Sequence, residues 1–358
     1  MTEAQRLPAE ETFRAELEAL VQDDGPRPEG WHLTPRAVVT YLLGGDAPDG
    51  TTVSPKYIGD RRRMESAVAT LATDRALLLL GVPGTGKSWV SELLAAAISG
   101  DSTLVVQGTA GTDENQVRYG WNYAQLLAHG PSEEALVKTP LYRAMEAGQV
   151  CRFEELTRLG SDVQDTLITV LSERMLPIPE LDQRLLARRG FNVIATANNR
   201  DKGVNELSSA LKRRFNVVVL PLPGDMASEV AIVQKRVAEL GEGLKLPMPE
   251  RVEAEIERVI TIFRELRSGR TLDGKMALKA PTTVPSTAEA IAVVVGGLSQ
   301  AVWFADGELG AEALAPSLLG AILKDPVQDR VVLEEYIETV LKKRRDYADY
   351  YLQLSRML

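Results

Sequence analysis

Four short stretches of this chain carry residues that could do chemistry. The first, Gly81-Val-Pro-Gly-Thr-Gly86-Lys87-Ser88, matches the spacing G-x-x-x-x-G-K-[ST]. Glycines at these positions let the backbone wrap closely round phosphates with its N–H groups pointing inward. Lys87 is placed to reach β- and γ-phosphates, and the Ser88 hydroxyl to ligate Mg²⁺. The aliphatic run Ala76–Leu80 comes before the loop and a predicted helix, Trp89–Ile98, follows it, which is the context such a loop needs. Val82, Pro83, Gly84, Thr85, Gly86, Lys87, Ser88 and Trp89 are therefore the predicted nucleotide-binding segment. The loop reads phosphates and not the base, so ATP and GTP both remain open.

The second stretch is Gly148-Gln-Val-Cys-Arg-Phe-Glu154-Glu155, an apolar run ending in two carboxylates. After a phosphate loop, Glu154 would hold the Mg²⁺ shell and Glu155 would orient and polarise an attacking water. Asp is the usual first member; Glu154 is one methylene longer, and Arg152 interrupts the apolar run. The bland alternative is a solvated acidic pair at a helix start, favoured there by the helix dipole. The third stretch, Phe191-Asn-Val-Ile-Ala-Thr-Ala-Asn198, is a strand ending in an amide that could bond a γ-phosphate or the water; a turn asparagine is the alternative. The fourth, Leu207-Ser-Ser-Ala-Leu-Lys-Arg213-Arg214-Phe215, sets basic residues at a helix end before a last strand. Cations also suit a helix C-terminus for purely structural reasons.

These residues need a scaffold, and the pattern around them supplies one. The runs Ala76–Leu80, Leu104–Val106, Val150–Phe153, Phe191–Ala197 and Val217–Leu220, separated by helical stretches, predict a parallel sheet covered on both faces. Upstream, residues 8–22 read as an amphipathic helix, Thr34-Pro35 opens a second that ends at Gly44-Gly45, residues 46–52 form a linker, and Arg61–Leu71 is a helix. After Pro221-Leu-Pro-Gly224 the periodicity is helical over 226–351, with breaks at 245–249, 268–285, 306–310 and 324–325. The expected organisation is an N-terminal helical extension (1–50), an α/β nucleotide-binding domain (51–223) and a helical lid (224–358).

Composition narrows the class. The 358 residues sum to a net charge of −9, which argues against a protein that coats duplex DNA, though a basic pore inside an acidic assembly remains compatible. One cysteine and two histidines leave no material for a disulfide or a histidine-based metal centre. No apolar run approaches the roughly 18 residues of a membrane span, and no secretory signal is apparent. The expectation is a cytoplasmic α/β protein. Cys151 reads as a small core residue, His129 as a loop residue, and Lys342-Lys-Arg-Arg345 as a solvated face in preference to a nucleic-acid patch. Trp121 and Tyr123 are either interface aromatics or core.

The order of phosphate loop, Glu154-Glu155, Asn198, Arg214-Phe215 and helical lid resembles the AAA+ ATPases, and most of all their MoxR branch near the dynein-related group. Further likenesses are Glu155-Leu-Thr-Arg158, the helix Gln164-Asp-Thr-Leu-Ile-Thr-Val-Leu-Ser-Glu-Arg174, and hairpin insertions at 113–138 and 175–189. The resemblance covers residues 53–350. It implies ATP hydrolysis with ATP/ADP and Mg²⁺, a homo-oligomeric ring (commonly a hexamer) with ATP at each subunit junction, and a protein partner, often one with a von Willebrand A domain. It also implies sensor 1 at Asn198, an arginine finger at Arg214 with Arg213 second, and adenine packing on Tyr57-Ile58-Gly59; no membrane insertion is expected from the lack of a long apolar run. The family's sensor 2 arginine is missing, because Pro285-Ser286-Thr287-Ala288-Glu289 occupies that place. Rival readings are a nucleotide-dependent ring or switch with little hydrolysis, and a restriction-type nucleic-acid motor.

Overall fold

The computed structural model describes residues 6–198, 205–249 and 251–358. The chain forms two compact units, Met1–Val82 with Gly86–Leu220, and Pro221–Leu358 with Pro83–Thr85. The helices of eight or more residues and the strands of the main sheet in the first unit are, in order, α1 (Pro35–Leu43), α2 (Arg61–Leu71), β1 (Ala76–Gly81), α3 (Lys87–Ser99), β2 (Val105–Gln107), α4 (Pro140–Ala147), β3 (Val150–Glu154), α5 (Ser161–Glu173), β4 (Asn192–Asn198) and β5 (Phe215–Val219).

The five strands make one parallel sheet in the order β5-β1-β4-β3-β2. Side chains alternate across it. Leu77 and Leu79 of β1, Val150 of β3 and Ile194 of β4 join one core, while Leu78, Phe153, Val193, Ala195 and Ala197 join the other. The three central strands β1, β4 and β3 are covered on both faces, which is why they read as largely apolar runs, while Val217 and Val219 of the edge strand β5 are exposed. The first core also takes in α3 through Val90, Leu93 and Leu94, so the helix after the phosphate loop is held against the same face as Arg152 and Glu154.

The residues read as a separate N-terminal extension pack into that first core. Leu17, Leu20, Trp31, Leu33, Tyr41 and Leu42 are buried with the residues of α3. The helix expected over 8–22 is two pieces, Ala9–Thr12 and Arg14–Leu20, because Phe13 leaves the helical region (φ −113, ψ 31). Its ring packs edge-on against Tyr41 and Trp89, with centroids 6.1 Å away in each case. Thr34 caps α1, its hydroxyl accepting the Ala37 N–H at 3.2 Å with proline at the first helical position. The two hairpins implied by the resemblance form, Tyr119–Trp121 with Leu136–Lys138 and Met175–Ile178 with Gln183–Leu186.

The second unit is helical: α6 (Met226–Gly243), α7 (Val252–Ser268), α8 (Thr287–Phe304), α9 (Ala311–Ile322), α10 (Gln328–Thr339) and α11 (Ala348–Met357). Its core gathers Val233, Ile256, Phe263, Val294, Leu298, Leu314, Tyr336 and Tyr350. One sequence expectation needs correction. Among the described helices α8 is 18 residues long with a mean hydropathy of 1.4, enough by length and composition to cross a membrane. Its Ala290, Val293, Val294, Leu298 and Ala301 are buried in the core of this unit, which accounts for part of the apolar composition, while Trp303 and Phe304 at its end are exposed.

Candidate functional site

The phosphate loop leaves β1 at Gly81 and enters α3 at Lys87. Gly84 and Gly86 both sit at φ +79, a left-handed conformation that a side chain would strain. Gly86 is the N-cap of α3, so the first free N–H groups of a 13-residue helix open onto the loop. Lys87 is 7 % exposed, and its ammonium donates to the carbonyls of Gly81 at 3.1 Å and Val82 at 3.0 Å, which keeps the charge inside the curve of the loop.

Parallel pairing brings the other predicted residues to this mouth. Asn198 lies beside Gly81 across β4 and β1, and Ala195 lies beside Phe153 across β4 and β3. All of these strands end at one edge of the sheet, where open α/β folds place ligands. The Ser88 hydroxyl donates to Glu154 Oε2 at 2.6 Å. Glu155 stands just past β3 with φ 57 and ψ 47. The Asn198 amide donates to its two carboxylate oxygens at 3.3 and 3.2 Å, and Arg158 Nε lies 3.6 Å from Oε2.

Thr196, which the sequence reading did not single out, joins the two groups. Its hydroxyl donates to Glu154 Oε2 at 2.7 Å and accepts the Glu155 N–H at 3.1 Å. A lone polar residue between Ala195 and Ala197 on a buried strand was the available signal. Arg152, read as an interruption of the strand, is 7 % exposed and pairs with Glu154 Oε1 at 2.9 Å. Gly108 was also missed. Its N–H donates to the Glu154 carbonyl at 2.7 Å, and a Cβ there would stand 2.5 Å from the Glu155 carbonyl oxygen.

The donor set suits Mg²⁺. Among the described residues no three His, Cys, Asp or Glu side chains cluster as a metal cage. A serine hydroxyl beside one carboxylate is instead the hard-oxygen arrangement for an ion that keeps waters and takes its other ligands from phosphate.

The remaining predicted residues are more dispersed. In the segment assigned to adenine, Tyr57 is half-buried, with its phenol pKa pushed up by burial, while Ile58 and Gly59 are exposed. Trp89 Nε1 donates to the Lys56 carbonyl at 3.0 Å, tying that segment to α3. Arg214 is engaged within its own chain, donating from Nε to Ser172 Oγ and from Nη1 to the Ala210 carbonyl, both at 2.9 Å. Arg213 beside it is exposed. At the sensor 2 place Ser286 and Glu289 form a capping box for α8, and the Thr287 hydroxyl donates to buried Glu229 at 2.8 Å. Cys151 is fully buried with its thiol pKa pushed up by desolvation, as a core residue should be. Tyr123 is exposed, Trp121 is half-buried edge-on to Tyr119, and His129 is exposed at a helix end.

Known proteins resemble this chain in sequence and in fold. Residues 76–215 match the AAA domain of the dynein-related subfamily, and residues 227–354 match the YehL-like AAA+ ATPase C-terminal domain. The YehL protein of Escherichia coli K12 is 42% identical over 363 residues, spanning 99% of this chain and 98% of that protein. A protein of Staphylococcus haemolyticus is 26% identical over 220 residues, or 60% of this chain and 78% of its own length. In fold, the crystal structure of NtrX from Brucella abortus aligns with a TM-score of 0.50 at 13% identity, covering 82% of this chain and 62% of NtrX. A second NtrX structure, in complex with ADP, aligns with the same score and identity over 83% of this chain and 64% of that one.

Proposed function

The chain belongs to the AAA+ ATPases, in their dynein-related subfamily with a YehL-like C-terminal domain, and is an ATP hydrolase; on that premise we propose a MoxR-like machine that couples hydrolysis to remodelling or maturation of a protein partner. The observation that supports the chemical part most directly is the junction at Thr196, where the Ser88–Glu154 and Glu155–Asn198 pairs meet at the mouth of the phosphate loop.

Each residue has a role in this reading. The loop N–H groups and Lys87 bind the phosphates. Ser88 and Glu154 would hold Mg²⁺, which when bound neutralises phosphate charge. Glu155 receives the proton side of the attacking water, and the Asn198 amide fixes the direction of that carboxylate. Arg214 acts on the nucleotide of an adjoining subunit in a ring, a hexamer by family habit. The partner carries a von Willebrand A domain, and the setting is the cytoplasm. A second reading, a ring that switches with nucleotide and hydrolyses slowly, is favoured by the absence of any arginine at 285–289.

Two substitutions test the chemistry. Lys87→Ala should abolish nucleotide binding. Glu155→Gln keeps the shape but removes the charge that polarises water, so it should retain bound ATP while turnover falls by about tenfold or more. A Glu155→Gln protein that hydrolyses ATP at the wild-type rate would remove Glu155 from this role. Steady-state turnover of the wild type separates the machine from the slow switch.

A further inference from the structure

A guanidinium in the middle of a buried parallel strand needs a reason. Arg152 lies between Cys151 and Phe153, both wholly buried, and is itself 7 % exposed. Charged groups are rarely buried to this degree unless paired. All three of its nitrogens are committed: Nε to Ser91 Oγ at 2.9 Å, Nη1 to the Ser102 carbonyl at 2.8 Å, and Nη2 to the Ser88 carbonyl at 3.1 Å and Glu154 Oε1 at 2.9 Å. Arg152 and Glu154 are two apart on one strand and so share the face that α3 covers. One guanidinium therefore grips both residues assigned to Mg²⁺, Ser88 through its backbone and Glu154 through its side chain.

We propose that Arg152 is a positioning residue that sets how tightly the site holds Mg²⁺, by cancelling the charge of Glu154 while holding it against the phosphate-loop serine. This rests on the assignment of Ser88 and Glu154 to the metal. The two carboxylate oxygens have separate duties. Oε1 is taken by Arg152, and Oε2 accepts from Ser88 at 2.6 Å and from Thr196 at 2.7 Å. The serine proton is thus turned toward Glu154, which leaves the Oγ lone pairs facing outward as a ligand. The guanidinium charge opposes that of a divalent cation at this spot, and the buried setting screens it poorly. Removing Arg152 leaves Ser88 and Thr196 to direct Glu154, now uncompensated, so the hold on Mg²⁺ tightens.

The test is ADP affinity by calorimetry as Mg²⁺ is raised, together with thermal unfolding, in the full chain. Wild-type affinity should rise with Mg²⁺, and Glu154→Gln should move half-saturation to higher Mg²⁺. Arg152→Met should move it lower by about fivefold or more. Arg152→Gln, which removes the charge but keeps a donor, carries the same expectation where the methionine variant does not fold. Arg152→Lys keeps the charge and should stay within about twofold of wild type. An Arg152→Met or Arg152→Gln curve that coincides with wild type, or shifts to higher Mg²⁺, overturns the proposal, and so does an Arg152→Lys curve that shifts as far as theirs. If wild type and Glu154→Gln are both indifferent to Mg²⁺, the metal assignment itself fails and takes the proposal with it. A failure confined to Arg152 is distinguishable, because the first two curves then behave as expected.

Discussion

Glu155 adopts a left-handed backbone, φ 57, that costs a non-glycine residue about 1–2 kcal/mol. The turn is held open by contacts around it. Thr196 accepts its N–H, and the backbone of Gly108 passes so close that an added Cβ would stand 2.5 Å from the Glu155 carbonyl oxygen and 2.9 Å from that of Glu154. Strain of this kind persists where the surroundings over-determine it. Gly108→Ala should therefore displace the carboxylate pair while leaving the phosphate loop intact. Misplacement by about 1 Å can lower a rate by about 10²-fold. The expected outcome is turnover reduced to that degree, with ADP affinity measured without Mg²⁺ unchanged by calorimetry. Wild-type kcat in Gly108→Ala would show that the close approach does not position the pair.

Elements of the helical unit are joined by buried carboxylates. Glu265 of α7 is wholly buried and accepts from Tyr336 at 2.6 Å, from the Leu272 N–H at 2.8 Å, and from Arg344 at 2.7 and 3.0 Å. Burial and this carboxylate together push the Tyr336 phenol pKa well up. Arg344 belongs to the run 342–345 that reads in the sequence as a solvated basic face. That reading describes Lys342, which is exposed and pairs with Glu338, but not Arg344, which closes the segment onto α7. Breaking a buried pair leaves an uncompensated charge, at a cost of about 3 kcal/mol. Arg344→Ala should lower the Tm of the helical unit accordingly, while Lys342→Ala should leave it in place. Equal melts for the two variants would make the run uniformly superficial.

At the scale of the whole molecule the question is whether one chain holds a complete site. Lys87 is placed to meet the phosphates at the loop, and an arginine supplied in trans can add about 10³-fold or more to turnover. Arg214 is bonded to Ser172 and Ala210 of its own chain, so reaching a neighbour requires exchanging those two bonds for phosphate oxygens. Arg214→Ala should bind ATP normally and hydrolyse it poorly. Mixing it with Glu155→Gln should restore part of the turnover, since some junctions then carry both intact groups. Loss on Arg213→Ala alone would move the role to the exposed neighbour. Full activity per subunit in a dilute monomer would end the shared-site reading.

Local chemistry determined much of this protein from its sequence. The phosphate loop, the carboxylate pair after an apolar strand, the terminal asparagine and the change from alternating to helical periodicity each depend on residues close together in the chain, where backbone preference and burial period leave few options. Strand ends in the sequence differ from those in the structure by one or two residues, because pairing partners set them: β5 begins at Phe215 through its partner Ala76. What only tertiary structure decided involves partners far apart in sequence. Arg152 reads as a flaw in a strand until Ser88, Ser91 and Ser102 stand around it. Thr196 and Gly108 matter only once β4 and the residues after β2 lie against β3. Residues 1–50 read as an appendage because each of their short helices has its own polar punctuation. The burial of Leu17, Trp31 and Tyr41 with α3 depends on surface that the segment itself does not supply.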